Sequence, residues 1–406
     1  MTGATIDHLV SVVIFLVAIL IFIGLFNQTI QTAILYQQHR YLATKCSDTL
    51  DNILLNPGSP PYWGLTSTNP TSFGLQDPEF TQYRLSPFSL MRLNSSIGTP
   101  AFYSKTGLYY SNTTTGFGES LLVPYNEAID SKAAASLLGI NGSYGFSLTF
   151  TPTVTVSVSE VQFNPLEVQV KVAGSGYPFA YSNISYCLIN TTNVAGTYPS
   201  YNIIKQDNVP TDDQGLASLS FNGTIGSYAL IAYAHTNGLV GVGCYEHLCY
   251  TDNYAVPLVS DFDSGDMLIA NSWDIIGGAN PSAISYNATF VLLTEDFTLQ
   301  EMSLENATQR TGIVNFGMGQ PYGIIKISTD NPGILVISYM KADNNSDSGI
   351  VLMPWGISSM AFPLTFGDDP NRKEWVATDI RQVTVGNIAY QAKLALWSLE
   401  GYQMVN

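Results

Sequence analysis

Leu9 to Phe26 reads LVSVVIFLVAILIFIGLF, an uncharged run diluted only by Ser11 and Gly24. At about 1.5 Å rise per residue it covers about 27 Å, close to the hydrocarbon thickness of a bilayer. The residues before it, MTGATIDH, hold no Lys or Arg, and the run is long for the apolar part of a cleaved signal. A retained membrane helix fits best; a cleaved leader is the alternative. The helical pattern continues past the span. No Pro occurs before Pro57, and apolar residues recur at Ile30, Ala33, Ile34, Tyr41, Leu42, Cys46, Leu50, Ile53 and Leu54. Steps of three and four keep these on one stripe. Gln28, Gln31, Gln38, Lys45, Asp48 and Asp51 take the other side, and Asn56-Pro57-Gly58 with Pro60-Pro61 ends the segment. The expectation is one helix over 1–56, with a membrane span over 9–26 and an amphipathic continuation that must pack on its own head or on identical helices.

Composition narrows the rest. The 406 residues carry a net charge of -16 with only 15 Lys and Arg, which excludes a nucleic-acid binder that reads phosphates through a basic face. An acidic surface also disfavours anionic lipid headgroups and acidic polymers as partners. Apolar residues at 46% and aromatics at 12% exclude disorder.

The small pair Gly3-Ala4, the acid at Asp7, the apolar run and a helix ending at NPGSPPYWG together resemble archaeal type IV pilin-like surface proteins. The resemblance covers about residues 1–65. It implies processing beside Gly3 and Ala4 and a helix that packs with other pilin-like subunits; a plain signal anchor held in membrane lipid is the alternative. The stretch KAAASLLGINGSYGFSLTFTP is loosely similar to the same group. Arg40 and Lys45 after the span weakly favour a cytoplasmic C-terminus. Against that stand sequons at Asn94, Asn112, Asn141, Asn183, Asn190, Asn222, Asn287, Asn306 and Asn344, besides Asn27. They favour an extracellular bulk and serve as glycosylation candidates, although a chain rich in Asn, Ser and Thr yields some by chance.

The outer region reads as mainly β. Residues 57–150 form a mixed α/β connecting stretch anchored by Trp63, Phe73, Leu75, Tyr83 and Leu85. Ser86-Pro87 opens a short helix to Leu93, Asn126–Leu138 reads as a second, and Tyr144–Thr149 as a strand. Over 151–248, Val154-Val156-Val158, Val168-Val170-Val172 and Ala217-Leu219-Phe221 alternate with polar residues, while Tyr228–Ala234 is apolar throughout, as a central strand requires. Asn237-Gly238 makes a two-residue hairpin turn, and Asp212-Asp213-Gln214-Gly215 another turn. Short strands at this spacing indicate a β-sandwich. The runs PLEVQVKVAGSGYPFAYSNISYCLI, TDDQGLASLSF and GSYALIAYA resemble immunoglobulin-like filler domains, which implies a spacer or binding module. Residues 249–406 read as a second β-rich domain with strands at Met267–Ala270, Thr289–Leu293, Ile313–Phe316, Ile324–Ser328, Leu335–Met340 and Ile350–Met353. Tyr390, Ala392, Leu394 and Leu396 alternate near the end, favouring a strand over a helix.

Sites are sparse. No G-x-S-x-G, H-E-x-x-H, P-loop or G-x-G-x-x-G occurs, so no catalysis is expected. Of the four Cys, a disulfide is expected among Cys187, Cys244 and Cys249, as 187–244 or 244–249; Cys46 reads as a packing residue, with intermolecular pairing as the alternative. A zinc site from Cys244, His247 and Cys249 lacks a second ligand pair. Asp261, Asp263 and Asp266 set carboxylates around a Gly turn, a candidate calcium site, with a solvated linker as the alternative; no other cofactor is expected. The resulting expectation is a membrane-anchored surface protein, a minor or tip pilin-like subunit whose β head binds a surface glycan or protein. The alternatives are a solitary signal-anchored protein and a tethered glycan-acting enzyme.

Overall fold

The structure is a computed structural model. It describes residues 2–80, 82–97, 99–114, 120–192, 198–222, 226–247, 255–276, 283–293, 299–304, 307–314, 320–328, 331–341, 348–356, 363–371 and 375–399.

Helix α1 (Thr2–Leu55) is continuous over 54 residues, about 81 Å by its rise. It is long and apolar enough to cross a membrane, and its most apolar window is entirely uncovered by the rest of the chain. Ser11, Thr29, Thr32 and Thr44 each donate to the carbonyl four residues earlier. Hydroxyls in and beside the span are therefore satisfied within the helix, as a lipid environment demands. At the far end the returning chain takes the last carbonyls: Leu75 N donates to Ile53 O and Gln76 N to Asn56 O.

Beyond the helix come β1 (Arg84–Leu85), α2 (Pro87–Asn94), β2 (Ala101–Tyr103), β3 (Leu108–Thr114), β4 (Ser120–Pro124), α3 (Ser131–Leu137) and β5 (Tyr144–Pro152). Ser86 caps α2 as the sequence indicates, its Oγ accepting from Ser89 N. The helix expected over Asn126–Leu138 is shorter, because Asp130 Oδ1 accepts from Ala133 N and starts α3 at Ser131, leaving Tyr125–Glu127 as a single 3-10 turn.

Next are β6 (Thr155–Gln162), β7 (Leu166–Gly174), β8 (Tyr177–Pro178), β9 (Asn183–Thr192), β10 (Ser200–Pro210), β11 (Leu216–Phe221), β12 (Tyr228–Thr236) and β13 (Leu239–His247). They form two facing sheets, β11-β7-β6 with β8 added to β7, and β10-β9-β12-β13. Leaving aside the short β8, strands one, two and five share one sheet and three, four, six and seven the other, an immunoglobulin-like arrangement. Val168, Val170, Val172, Leu219, Leu188 and Leu230 fill the space between. Asn237 and Gly238 both take positive φ in the β12–β13 turn. The second sheet is covered on its other face too: Cys187, Ile189, Ala229, Ile231, Tyr233, Val240 and Val242 belong to the large central core. This double burial is why Tyr228–Ala234 is apolar at every position. The sandwich is thus a docked layer. Lys205 Nζ on Leu299 O and Glu246 Oε1 under Leu352 N add polar ties at its edge.

The remaining elements are β14 (Ala255–Asp261), β15 (Asp266–Asn271), α4 (Trp273–Ile276), β16 (Ile284–Leu293), β17 (Leu299–Met302), β18 (Thr311–Val314), β19 (Gly323–Lys326), β20 (Gly333–Lys341), β21 (Ser348–Trp355), β22 (Leu364–Gly367), β23 (Ala377–Val385) and β24 (Ile388–Ser398). The segments 57–150 and 249–406, read as separate stretches in the sequence, interleave. One sheet runs β19-β15-β14-β4-β3-β2, another β1-β23-β24-β5-β22, and a third β17-β16-β20-β21 with β18 on β16. The sandwich is inserted between β5 and the strands that complete its sheet. Residues 377–398 form a hairpin of two long strands, with Tyr390, Ala392, Leu394 and Leu396 inward as their alternation indicates.

Candidate functional site: the helix and its joint with the head

Only the last third of α1 is held by the head. Leu42, Cys46, Leu50, Ile53 and Leu54 are buried, at 0–4% exposure, against a core that includes residues of β23 and β24. Cys46 Sγ lies 3.5 Å from Leu394 O, and burial, with Asp379 adding, pushes its pKa up to about 11, so it is a packing residue and a poor nucleophile. Beside this apolar seam Arg381 Nε donates to Asp51 Oδ1 at 3.0 Å, Nη2 to Ser47 Oγ at 3.0 Å and Nη1 to Asp379 Oδ1 at 2.6 Å. Tyr83 Oη adds a 3.3 Å bond to Asp51. The forked guanidinium thereby fixes the helix's rotation as well as its position. The rest of the stripe has no cover: Ile30 is 42% exposed, Ile34 49% and Tyr41 63%, with Leu35 and Tyr36 also open. His39 is the first stalk residue to meet the head, its ring stacked on Trp375 at 3.3 Å between centroids, so the free stalk runs from Phe26 to Gln38, about 18 Å.

Two features on the head are suited to contact. Strand β8 and the loop after it present Tyr177 and Tyr181, each 76% exposed. Between them Phe179 is tied down: its N–H donates to Val172 O, and its carbonyl accepts from Thr211 Oγ1, which also receives Ser182 N. Tyr181 holds φ +56°, a costly backbone state for a bulky residue. On β2 and β3, Phe102 and Tyr109 face each other at 5.1 Å between ring centroids, both about half exposed. Rigid aromatic rings offer large contact area at small entropic cost.

The sequence reading missed one buried polar cluster and one half-buried one. Arg92, fully buried on α2, donates from Nε to Glu127 O at 2.7 Å and from Nη1 and Nη2 to Trp63 O, Thr66 O, Thr68 O and Asn69 Oδ1. Burial lowers its pKa to about 10, partly offset by Glu127 and Asp263, so it stays charged. Its signal was a cation inside the apolar PFSLMRLN of a chain poor in cations. Burial raises the Glu127 carboxyl to about 7 against the pull of Arg92, with Asp261 and Asp263 pushing the same way as burial. Across the sandwich, Glu160 Oε2 accepts from Tyr228 Oη at 2.5 Å and lies 2.8 Å from His247 Nδ1, whose ring stacks on Phe163 and on Tyr228. This joins the two sheets at one end.

The sequence-derived site residues fare unevenly. Asp261 and Asp266 pair across the β14–β15 turn, Asp261 Oδ1 accepts from Asp263 N, and Asp263 Oδ2 accepts from Ser67 Oγ. Among the described residues no three His, Cys, Asp or Glu side chains converge as a metal site. The 187–244 disulfide is overturned. Both cysteines are free thiols and both register with Ile231, from opposite sides of β12. Two strand spacings put them about 9–10 Å apart, beyond the ~7 Å a disulfide spans. Cys249 lies outside the described residues. Cys244 and His247, three apart on β13, face opposite sides of the sheet and do not share a ligand. Gly3 and Ala4 fall in the first turn of α1.

Among the sequons, Asn94 and Asn190 are buried, and Asn190 Oδ1 accepts from Gly226 N. Asn183 Nδ2 is bonded to Asn208 and Asn287 Nδ2 to Pro199 O. Asn94 and Asn190 are therefore corrected as glycan acceptors on the folded head, which encloses their amides; Asn183 and Asn287 are partly exposed, each amide holding one hydrogen bond. Asn141 and Asn222 are exposed. Asn112 is on β3, with its side chain outside the described ones, as are residues Asn306 and Asn344.

No family model and no curated protein matches the chain. Among solved structures, a red sea bream transglutaminase is similar over 61% of this chain and 37% of that one, with 10% identity and a TM-score of 0.19. The chain thus aligns with little more than a third of that enzyme's length.

Proposed function

We propose that this is a surface protein anchored by α1, with its β head outside the cell, in which the free stalk and span pack against other pilin-like helices and the head serves adhesion or binding. The observation that carries this reading is the division of the apolar stripe at Leu42. The segment up to Leu54 is consumed by the head, whereas Ile30, Ile34 and Tyr41 remain apolar and uncovered in water. A solvated stalk gains nothing from such a stripe, and a second helix would bury it. The exposed Tyr177 and Tyr181 and the Phe102–Tyr109 pair support a contact role for the head. The absence of catalytic motifs in the sequence favours display over turnover. The size of the head fits a minor or tip subunit better than a shaft.

One observation favours a solitary anchor: the Leu42–Leu54 stretch packs on its own head, as a simple tether would. The experiment that separates the two is cysteine cross-linking at Ile34→Cys in native membranes, with the N-terminus of the same material determined. Cross-linked ladders, a chain starting at Ala4 and sedimentation as sheared filaments support assembly. A monomer with intact Met1 and no cross-link leaves the tether.

A further inference from the structure

We infer that Asn141 carries an N-linked oligosaccharide, placed in the gap between the head and the membrane. The inference rests on the proposed extracellular placement of the head. Asn141-Gly142-Ser143 occupies the tight turn between α3 and β5. Ser143 N donates to Ile140 O at 3.2 Å and Gly142 takes φ +80°, so Asn141 stands at the turn's first corner. The backbone N–H of Asn141 is held by Ala135 O, yet Asn141, Gly142 and Ser143 are all exposed, and the Asn141 carboxamide takes no part in the turn's bonding. A transferase must reach the amide and the hydroxyl two residues on at the same time, and an exposed turn offers both.

The other described sequons offer less. Asn94 and Asn190 are enclosed, and Asn183 and Asn287 are only partly exposed, each amide holding one hydrogen bond. Asn27 sits on α1 one residue past the span, with Thr29 Oγ1 already donating to Leu25 O. Asn222 is exposed at the end of β11, but its hydroxyl partner Thr224 is outside the described residues.

The location gives the sugar a place in the architecture. β23 runs beside α1 with Ala377 near Cys46 and Arg381 near Ser47 and Asp51, so its start points toward the span. Leu396 pairs with Ala377, and Leu399 N donates to Ser143 O at 2.9 Å. The Asn141 turn is therefore at the end of the head that faces the span. In the transfer, Asn141 Nδ2 attacks the anomeric carbon of a lipid-linked oligosaccharide. The new C–N bond forms as the sugar–phosphate bond breaks, the amide loses one proton, and the lipid phosphate leaves with the electron pair.

The test is mass spectrometry of the full chain isolated from its native membranes, for wild type, Asn141→Gln and Ser143→Ala, alongside protease digestion of intact cells. The expected result is an oligosaccharide on the Asn141 peptide, lost in both variants, with unchanged unfolding midpoints and a head digested from outside. An unmodified Asn141 on a head that external protease digests overturns the site and leaves the placement standing. An unmodified Asn141 on a head that external protease does not reach overturns both. Sugar on Asn94 or Asn190 contradicts the burial that selects Asn141.

Discussion

Leu50→Ala and Ile34→Ala change similar side chains on one stripe of one helix, and the structure assigns them opposite consequences. Leu50 is wholly buried in the joint. Its truncation removes the transfer energy of the lost carbons and leaves a cavity, about 3–5 kcal/mol in a core that cannot collapse. With a slope of about 4 kcal/mol per molar guanidinium, the head should unfold about 1 M earlier. Ile34 is 49% exposed. In the isolated chain its replacement should stay within about 0.5 kcal/mol of wild type, with the better helix propensity of Ala offsetting lost contact. Where helices pack together, the same change forfeits the uncovered half of the side chain, about 1 kcal/mol per subunit. Tryptophan fluorescence in detergent follows the head, since Trp63, Trp355 and Trp397 are all buried; sedimentation of sheared native material follows assembly. An unchanged midpoint for Leu50→Ala would falsify the joint. Equal head destabilisation by Ile34→Ala would refute the division of the stripe at Leu42.

Three further outcomes are expected. Arg92→Met strands several buried carbonyls and should lower stability by about 3–5 kcal/mol, with Arg92→Lys failing to restore it because a compact ammonium cannot reach five divergent acceptors; equal midpoints for wild type and Arg92→Lys would show that the fork is not needed. Because burial raises Glu127 from 4.5 to about 7, its contribution is fully present below pH ~4.5 and is lost as pH rises toward 7. Glu127→Gln should therefore gain up to ~3 kcal/mol over wild type between pH 4.5 and 7, and identical pH profiles would contradict this. Cys46, Cys187 and Cys244 should resist maleimide in the native protein and react on unfolding without reductant; protection that persists in denaturant until a reductant is added would expose a disulfide.

The helix and the sandwich were legible because each rests on local pattern. A 1–56 helix follows from an apolar run, a stripe and a Pro cluster, and the sandwich from alternating Val triplets and an Asn-Gly turn. Pairings such as β4 beside β14 were not legible, since Leu122 and Leu258 carry no mark of each other across so many residues. The docking of the sandwich left one trace, the unbroken apolar run of β12, which implied cover on both faces. The 187–244 pairing failed on register: two cysteines in one sheet are too far apart when a strand lies between them, and spacing in sequence is blind to that. Sequons likewise state what can be modified without stating what folding encloses, which is why Asn94 and Asn141 look alike on the page and differ in the fold. Arg92 was visible as an oddity, but its five acceptors are scattered over loops that only tertiary structure gathers.

The course of α1 along β23 has a mechanical consequence. If α1 is the anchor, as proposed, a pull on the head along the helix axis reaches the membrane through this joint. Contacts from Leu42 to Leu54, with the Arg381 fork on Asp51 and Ser47 among them, are then loaded side by side and must yield together. A force across the helix would instead open them one after another, from Leu42 upward. The joint should therefore resist tension along the helix far better than bending.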